Sequence, residues 1–253
     1  MSYETIQVTI RNGVCTIRID RPQANNAINT RLVEEFTAAL AECDSATLTP
    51  PVSILVIEGS PTVFCSGGDF ESIAAASEPA DPAPLYDLWL RLTAGPYITV
   101  SVVRGRVNAG GLGFVAASDI VLADRTAAFS LSELLFGLFP ACVLPFLIRR
   151  VGGQKAHYLT LMTRSFGAED ALAWGLVDAL DDDVESLLRK HLLRLGRLAP
   201  PAIARYKRYR AELDASLKKS RGIALAANCQ LFSQPEIQRN IRRYISESKF
   251  PWE

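Results

Sequence analysis

Two short segments combine residue types that can stabilise a negatively charged oxygen. The first is Val63-Phe64-Cys65-Ser66-Gly67-Gly68-Asp69-Phe70, and the second is Val107-Asn108-Ala109-Gly110-Gly111-Leu112-Gly113-Phe114. Each places an apolar, strand-like run before glycines and a helix-like stretch after them. Glycine permits sharp turns and close backbone approach. A helix start leaves free N–H groups and a partial positive charge. If both starts converge, two backbone N–H groups can hold one oxygen while a carbonyl becomes an enolate, which is the chemistry of an oxyanion hole. Either segment alone reads equally well as a plain turn.

The surrounding chain must supply elements that bring these segments together. Ile6 to Ile10 and Val14 to Ile19 alternate apolar with polar residues around Asn12-Gly13, a hairpin signal. Asn29 to Cys43 carries apolar residues at helical spacing, and Val52 to Glu58 reads as a buried strand. Strand and helix signals then alternate through Ile98 to Val103, Gly110 to Ala117 and Ile120 to Ala123, which predicts a mainly parallel α/β sheet. Ser77 to Pro84 is proline-rich and predicts an irregular loop, either a plain surface loop or a gate over the site. Helix formers dominate from Val184 onward, interrupted at Pro200-Pro201 and carrying a basic cluster from Arg205 to Arg210.

Composition narrows the function classes. The 253 residues suffice for a large core, and 49% hydrophobic with 21% charged residues is ordinary for a soluble protein. Lys plus Arg and Asp plus Glu each number 27, so no bulk charge attracts nucleic acid or an anionic membrane. No apolar run reaches membrane-spanning length, and the start shows no targeting pattern, so a cytoplasmic protein is expected. The five cysteines form no ladder and read as reduced thiols; His157 and His191 have no partner at metal-ligand spacing, so no metal is assigned.

Taken together, these segments resemble the crotonase (enoyl-CoA hydratase/isomerase) superfamily over nearly the whole chain. Ile19-Asp20-Arg21-Pro22 with Asn26-Ala27 resembles its opening strand and turn, Ser118-Asp119-Ile120 the segment after its glycine helix, and Ala173-Trp174-Gly175-Leu176-Val177-Asp178 its late signature. The resemblance implies a ββα spiral core over residues 1–190 and a helical C-terminal trimerisation region over 191–253. It also implies Gly68 and Gly110 as the two N–H donors of the oxyanion hole. Phe129-Ser130-Leu131-Ser132-Glu133 resembles the strand and loop that carry the family's catalytic glutamate. Glu133 lies among Phe129, Leu131, Leu134, Leu135 and Phe136, where desolvation would raise its pKa and ease return of a proton. Read without the resemblance, it is equally a surface carboxylate at a strand end.

One departure matters. Hydratases of this superfamily usually carry a second glutamate at the position that Gly113 occupies here. The vacancy argues against simple water addition and is expected to make room at the β-carbon of a crowded substrate. Tyr86-Asp87-Leu88-Trp89, the segment Val107 to Phe114, and the run Ser130 to Cys142 resemble the dehydrating crotonase of polyketide β-branching cassettes, which work with an HMG-synthase-like enzyme. That subgroup's implied reaction is loss of water from 3-hydroxy-3-methylglutaryl on an acyl carrier protein, giving 3-methylglutaconyl. The implied partners are a carrier protein and further copies of the chain, as a trimer or a dimer of trimers. No cofactor is implied beyond the phosphopantetheine arm that carries the substrate. Glu133 would serve as both base and acid.

Other assignments stay open. Asn108 is expected either to bind the substrate hydroxyl or distal carboxylate or to satisfy the local turn. Tyr86 and Trp89 either line the acyl pocket or belong to the core. Asp69 reads as a helix cap. For carrier docking, the basic candidates are Arg149-Arg150 with Lys155, and Arg205 to Arg210; solvated helix faces are the alternative. Competing functions are an enoyl-CoA hydratase or isomerase acting on CoA esters, the decarboxylating crotonase of the same pathway, and an idle crotonase fold used for binding. The decarboxylating type usually lacks the glutamate kept here as Glu133.

Overall fold

Asn12 and Gly13 both take positive φ, 51° and 76°, and turn β1 (Ile6–Arg11) back onto β2 (Val14–Ile19) as the expected antiparallel hairpin. The computed structural model describes residues 3–44, 48–76 and 78–253. After the hairpin, α1 (Thr30–Cys43) is capped by Asn29, whose Oδ1 accepts from the Leu32 N–H at 2.9 Å. The helix buries Leu32, Phe36 and Leu40 against the hairpin side of the core.

From here the chain alternates between two sheets. β3 (Ile54–Glu58) is buried at every position and enters the large sheet; β4 (Val63–Cys65) enters a second one. The helices α2 (Phe70–Ala75) and α3 (Ala83–Ala94) follow. Then β5 (Ile98–Val103) returns to the large sheet and β6 (Arg106–Asn108) to the second. After α4 (Gly111–Ala117), β7 (Ile120–Ala123) and β8 (Ala128–Ser130) repeat the pattern. Each turn of this ββα spiral lays one strand on each sheet. The unbroken apolar runs of β3 and β5 suit central parallel strands that are covered on both faces.

The remainder is mostly helical: α5 (Leu144–Val151), α6 (Gly153–Met162), the short β9 (Phe166–Gly167), α7 (Ala168–Ala173), β10 (Ala179–Leu180), α8 (Val184–Leu195), α9 (Pro200–Leu213), α10 (Ser216–Phe232) and α11 (Pro235–Glu247). The large sheet runs β1-β2-β3-β5-β7-β10, and the second runs β4-β6-β8-β9. Val184 of α8 and Ile203 of α9 pack with Ile54, Val100 and Leu122, and so cover one face of the large sheet. Pro200 and Pro201 start α9 where a missing N–H costs nothing, so the expected interruption is a helix start. The 190/191 boundary expected from sequence falls inside α8.

Of the proline-rich stretch, Ser77 lies outside the described residues, 78–82 is irregular, and Ala83 and Pro84 open α3. Among the described residues, no helix is long and apolar enough to cross a membrane, and no group of three or more His, Cys, Asp or Glu stands together as a metal site.

Candidate active site

The second sheet assembles the site. β4, β6 and β8 are parallel neighbours, with Cys65 opposite Val107, Val107 opposite Phe129, and Asn108 opposite Ser130. Neighbouring strands lie about 4.8 Å apart. The three segments that follow them therefore leave the same end of the sheet side by side: Ser66 to Asp69, Ala109-Gly110, and Leu131 to Glu133.

The two glycine loops touch. Gly67 has φ +94°, and a Cβ built there would stand 2.8 Å from the Ala109 Cβ and 3.1 Å from the Asn108 carbonyl. Only glycine fits this approach. A Cβ on Gly110 would lie 3.9 Å from the Gly68 nitrogen. Among the described residues, neither the Gly68 nor the Gly110 N–H donates a hydrogen bond. The geometry thus brings together the two free donors expected of an oxyanion hole. Gly68 is fixed from behind: Ile28 N–H donates to the Gly67 carbonyl at 2.7 Å, and Asp69 N–H donates to Ile28 at 2.9 Å. Ala109 holds the left-handed conformation at φ 49°, with its N–H bonded to the Ser130 carbonyl at 3.0 Å.

Asp69 caps α2 as expected, its Oδ1 accepting from the Ser72 N–H at 3.0 Å. Its Oδ2 pairs with Arg21 at 2.9 Å, both side chains being about nine-tenths buried, and Arg21 also donates to the Ala27 carbonyl. Burial alone would raise the Asp69 pKa, but the Ser72 N–H and the guanidinium together hold it below the usual carboxylate range. Sequence reading missed this Arg21 link, since only the fold brings the opening turn to the first glycine loop. Removing one partner of a buried pair costs about 3–5 kcal/mol. Asp69→Ala is expected to lower the melting temperature by about 6–20 °C at 2–4 °C per kcal/mol, and calorimetry checks it.

Glu133 opens a 3-10 turn (Glu133–Phe136) immediately after the strand segment. The residue keeps some exposure, but its Oε2 is buried and has no hydrogen-bond partner among the described residues. Burial pushes its pKa up to about 7, overcoming the opposing effect of its own backbone N–H. A carboxylate with that affinity can take a proton and return it near neutral pH. Phe136, at the end of the turn, packs against Phe70 at 5.1 Å and Tyr244 at 5.0 Å between ring centroids. The C-terminal helix α11 thereby braces both the Glu133 turn and α2.

The remaining expected site residues fare differently. Asn108 is fully engaged within the protein: Nδ2 donates to Ser132 Oγ at 3.0 Å, and Oδ1 accepts from Ser130 Oγ at 2.9 Å. It ties β6 to the Glu133 segment, as the local alternative expected. Tyr86 is corrected to a core residue: it is fully buried, and its hydroxyl donates to the Leu217 carbonyl at 2.8 Å. Gly113 does not leave open space. A Cβ there would fall 2.2 Å from Trp89 Cζ2. The indole of Trp89 fills the place where room for the substrate was expected.

Residues 9–253 match the sequence profile of the enoyl-CoA hydratase/isomerase family. The chain belongs to this family. It is 52% identical to the bacillaene synthase dehydratase PksH of Bacillus subtilis, over all of this chain and 98% of that one. The crystal structure of the Bacillus subtilis polyketide-biosynthesis protein pksH superposes with a TM-score of 0.95 at 51% identity, covering 99% of this chain and all of that one. The enoyl-CoA hydratase AFT6-1 of Alternaria alternata is 32% identical over 80% of this chain and 67% of its own. The crotonase fold expected from the sequence is thus the observed one.

Proposed function

We propose that the chain is a dehydratase that removes water from 3-hydroxy-3-methylglutaryl carried on an acyl carrier protein, giving 3-methylglutaconyl during polyketide β-branching. The observation that carries this reading is Glu133, whose buried carboxylate oxygen has no partner among the described residues, on the strand end next to two free glycine N–H groups, with no acidic residue anywhere on α4. The likeness to a polyketide dehydratase over the full chain supports it.

The thioester oxygen sits between the Gly68 and Gly110 N–H groups. The Glu133 carboxylate takes the α-proton, and the electron pair moves onto the thioester as an enolate. The enolate then collapses: the Cα–Cβ double bond forms, the Cβ–oxygen bond breaks, and the departing hydroxyl takes the proton back from Glu133 to leave as water. One carboxylate closes the cycle. The decarboxylating alternative is disfavoured because that step needs no base for an α-proton.

The test is direct. Purified protein is incubated with 3-hydroxy-3-methylglutaryl on pantetheine and on a carrier protein, and mass spectrometry follows loss of water. Turnover of the branched thioester is expected to exceed that of unbranched 3-hydroxybutyryl-CoA by at least tenfold. Equal or inverted preference would return the chain to the CoA-ester hydratases.

Carrier docking draws on fewer residues than the sequence suggested. Arg149 is paired with Asp214 at 3.1 Å, Arg150 with Asp178 at 2.5 Å, and Lys155 lies 4.3 Å over the Trp174 ring. Lys207 is buried against Asp119. Arg205 and Arg208 remain exposed on α9. Reversing both charges is expected to raise KM for the carrier-bound substrate about tenfold at low salt and to leave the pantetheine substrate unchanged. Equal losses on both substrates would remove α9 from docking.

Self-association as a trimer or a dimer of trimers has support in an apolar groove of about 520 Å³ between α5 and α10, lined by Phe139, Leu144, Ile148 and Ile223. Ile223, Ile148 and Phe139 are all exposed there, a contiguous apolar patch of the kind that marks interaction sites. Light scattering that gives a monomer mass would refute this assembly.

A further inference from the structure

Trp89 holds a hydrogen-bond donor that the fold leaves unused. Its side chain is 1% exposed, yet Nε1 has no acceptor among the described residues. An indole nitrogen can only donate, and buried donors without partners are rare because leaving water unpaid by a new bond is unfavourable. The ring cannot turn to find a partner. It is wedged edge-on between Phe114, with centroids 5.9 Å apart, and Phe146, 5.6 Å apart. Its Cε2, the atom bonded to Nε1, lies 2.4 Å from the point where a Cβ on Gly113 would stand.

That point lies one helical turn from the oxyanion donor. The Gly113 N–H donates to the Gly110 carbonyl at 3.0 Å in the first turn of α4. Gly113 is therefore within one helical turn, about 5 Å, of the oxyanion donor at Gly110. The hydroxyl on a β-carbon is three bonds from the thioester carbonyl carbon, which is comparable reach. In the elimination Glu133 must carry the proton from the α-carbon to the departing oxygen while charge builds there, and no acidic side chain on α4 shares that charge.

We propose that the Trp89 indole N–H takes up this task, donating a hydrogen bond to the β-hydroxyl oxygen as its bond to carbon breaks. The proton of the indole is not transferred; water leaves with the proton returned by Glu133. Gly113 is then a glycine so that the indole can lie against α4 and present its N–H, and the pair replaces a carboxylate with a neutral donor. Both Nε1 and Glu133 Oε2 are sealed from solvent, so the acyl group reaches them only as the covering side chains part. The inference rests on the dehydratase reading above.

The test uses two readouts on the intact protein. In Trp89→Phe, which keeps a ring over Gly113, kcat for water loss is expected to fall 10- to 100-fold with KM changed less than threefold. Exchange of the α-proton with deuterated solvent, which needs Glu133 and the glycine donors only, is expected to stay within threefold of the parent. A purely structural role for Trp89 would lower both rates together and would overturn the proposal, as would unchanged water loss. Should Trp89→Phe fail to fold, the second readout decides alone. The chain has three tryptophans, so ¹⁵N-indole spectra are simple to assign. In Glu133→Gln, the Trp89 N–H signal should move on adding 3-hydroxy-3-methylglutaryl-pantetheine and not on adding 3-methylglutaryl-pantetheine, which lacks the hydroxyl. Identical shifts with both ligands would overturn the proposal. A parent protein that exchanges the α-proton but never loses water would instead sink the dehydratase reading, and this inference with it.

Discussion

Glutamine at position 133 is expected to lower kcat for dehydration at least on the order of a hundredfold, the usual worth of a general acid–base group, and to leave the fold intact. The amide matches the carboxyl in size but cannot accept the α-proton. Because burial holds the Glu133 pKa up to about 7, kcat/KM of the parent should rise with pH through that value on its acid limb, as the base becomes ionised. Stability moves the opposite way. An unfolded glutamate ionises near pH 4.3, whereas the folded one keeps its proton to about 7. The parent's contribution from this group is thus fully present below about pH 4.3 and is lost as pH rises through about 7. At about 1.4 kcal/mol per pKa unit, the loss is at most about 4 kcal/mol, reduced by the part of the residue that reaches solvent. Glutamine has no such loss. Melting curves at pH 5 and pH 8 should therefore show Glu133→Gln gaining on the parent at the higher pH, in the same variant that has lost activity. Near-normal turnover would remove Glu133 from the mechanism. A melting difference independent of pH would show that its carboxyl is not desolvated.

The glycine loops and the strands before them were readable because their signals are local. Asn12-Gly13 sets its own turn, Asn29 caps its own helix, and the runs Ile54–Glu58 and Ile98–Val103 are apolar without a break. The convergence of Gly68, Gly110 and Glu133 is not local. It follows from β4, β6 and β8 being parallel neighbours, a relation the resemblance supplied and residue spacing did not. Partners made by tertiary contact stayed hidden. Arg149 and Arg150 look like a free basic pair in sequence, yet Asp214 and Asp178 reach them from distant elements. Asn108 looks available until Ser130 and Ser132 arrive on the adjacent strand and turn. The vacancy at Gly113 was visible, but its occupant was not: nothing in a helix-like stretch near Trp89 says that its ring will lie on α4.

That occupant decides what happens when the carboxylate is restored. Gly113→Glu is expected to unfold or severely destabilise the protein before it changes any specificity. The new Cβ would fall 2.2 Å from Trp89 Cζ2 and 2.4 Å from Cη2, well inside contact distance. The indole has nowhere to go, since Phe114 and Phe146 hold it edge-on and Trp89 is fully buried. Overpacking of this kind costs about 1–3 kcal/mol or more. A carboxyl brought beside that apolar cluster without a partner adds a penalty of about 1–3 kcal/mol even when neutral. Together these predict a fall in melting temperature on the order of 10 °C, at 2–4 °C per kcal/mol. The paired variant separates space from chemistry. In Gly113→Glu with Trp89→Ala, the indole's volume is released, and the melting temperature should recover by at least half of the loss. Its loss of branched-substrate turnover should persist, because the donor has gone with the ring. If Gly113→Glu alone melts within about 2 °C of the parent and keeps its activity, then the Trp89 ring does not press on α4 at Gly113, and crowding between them plays no part in how this site excludes a second carboxylate.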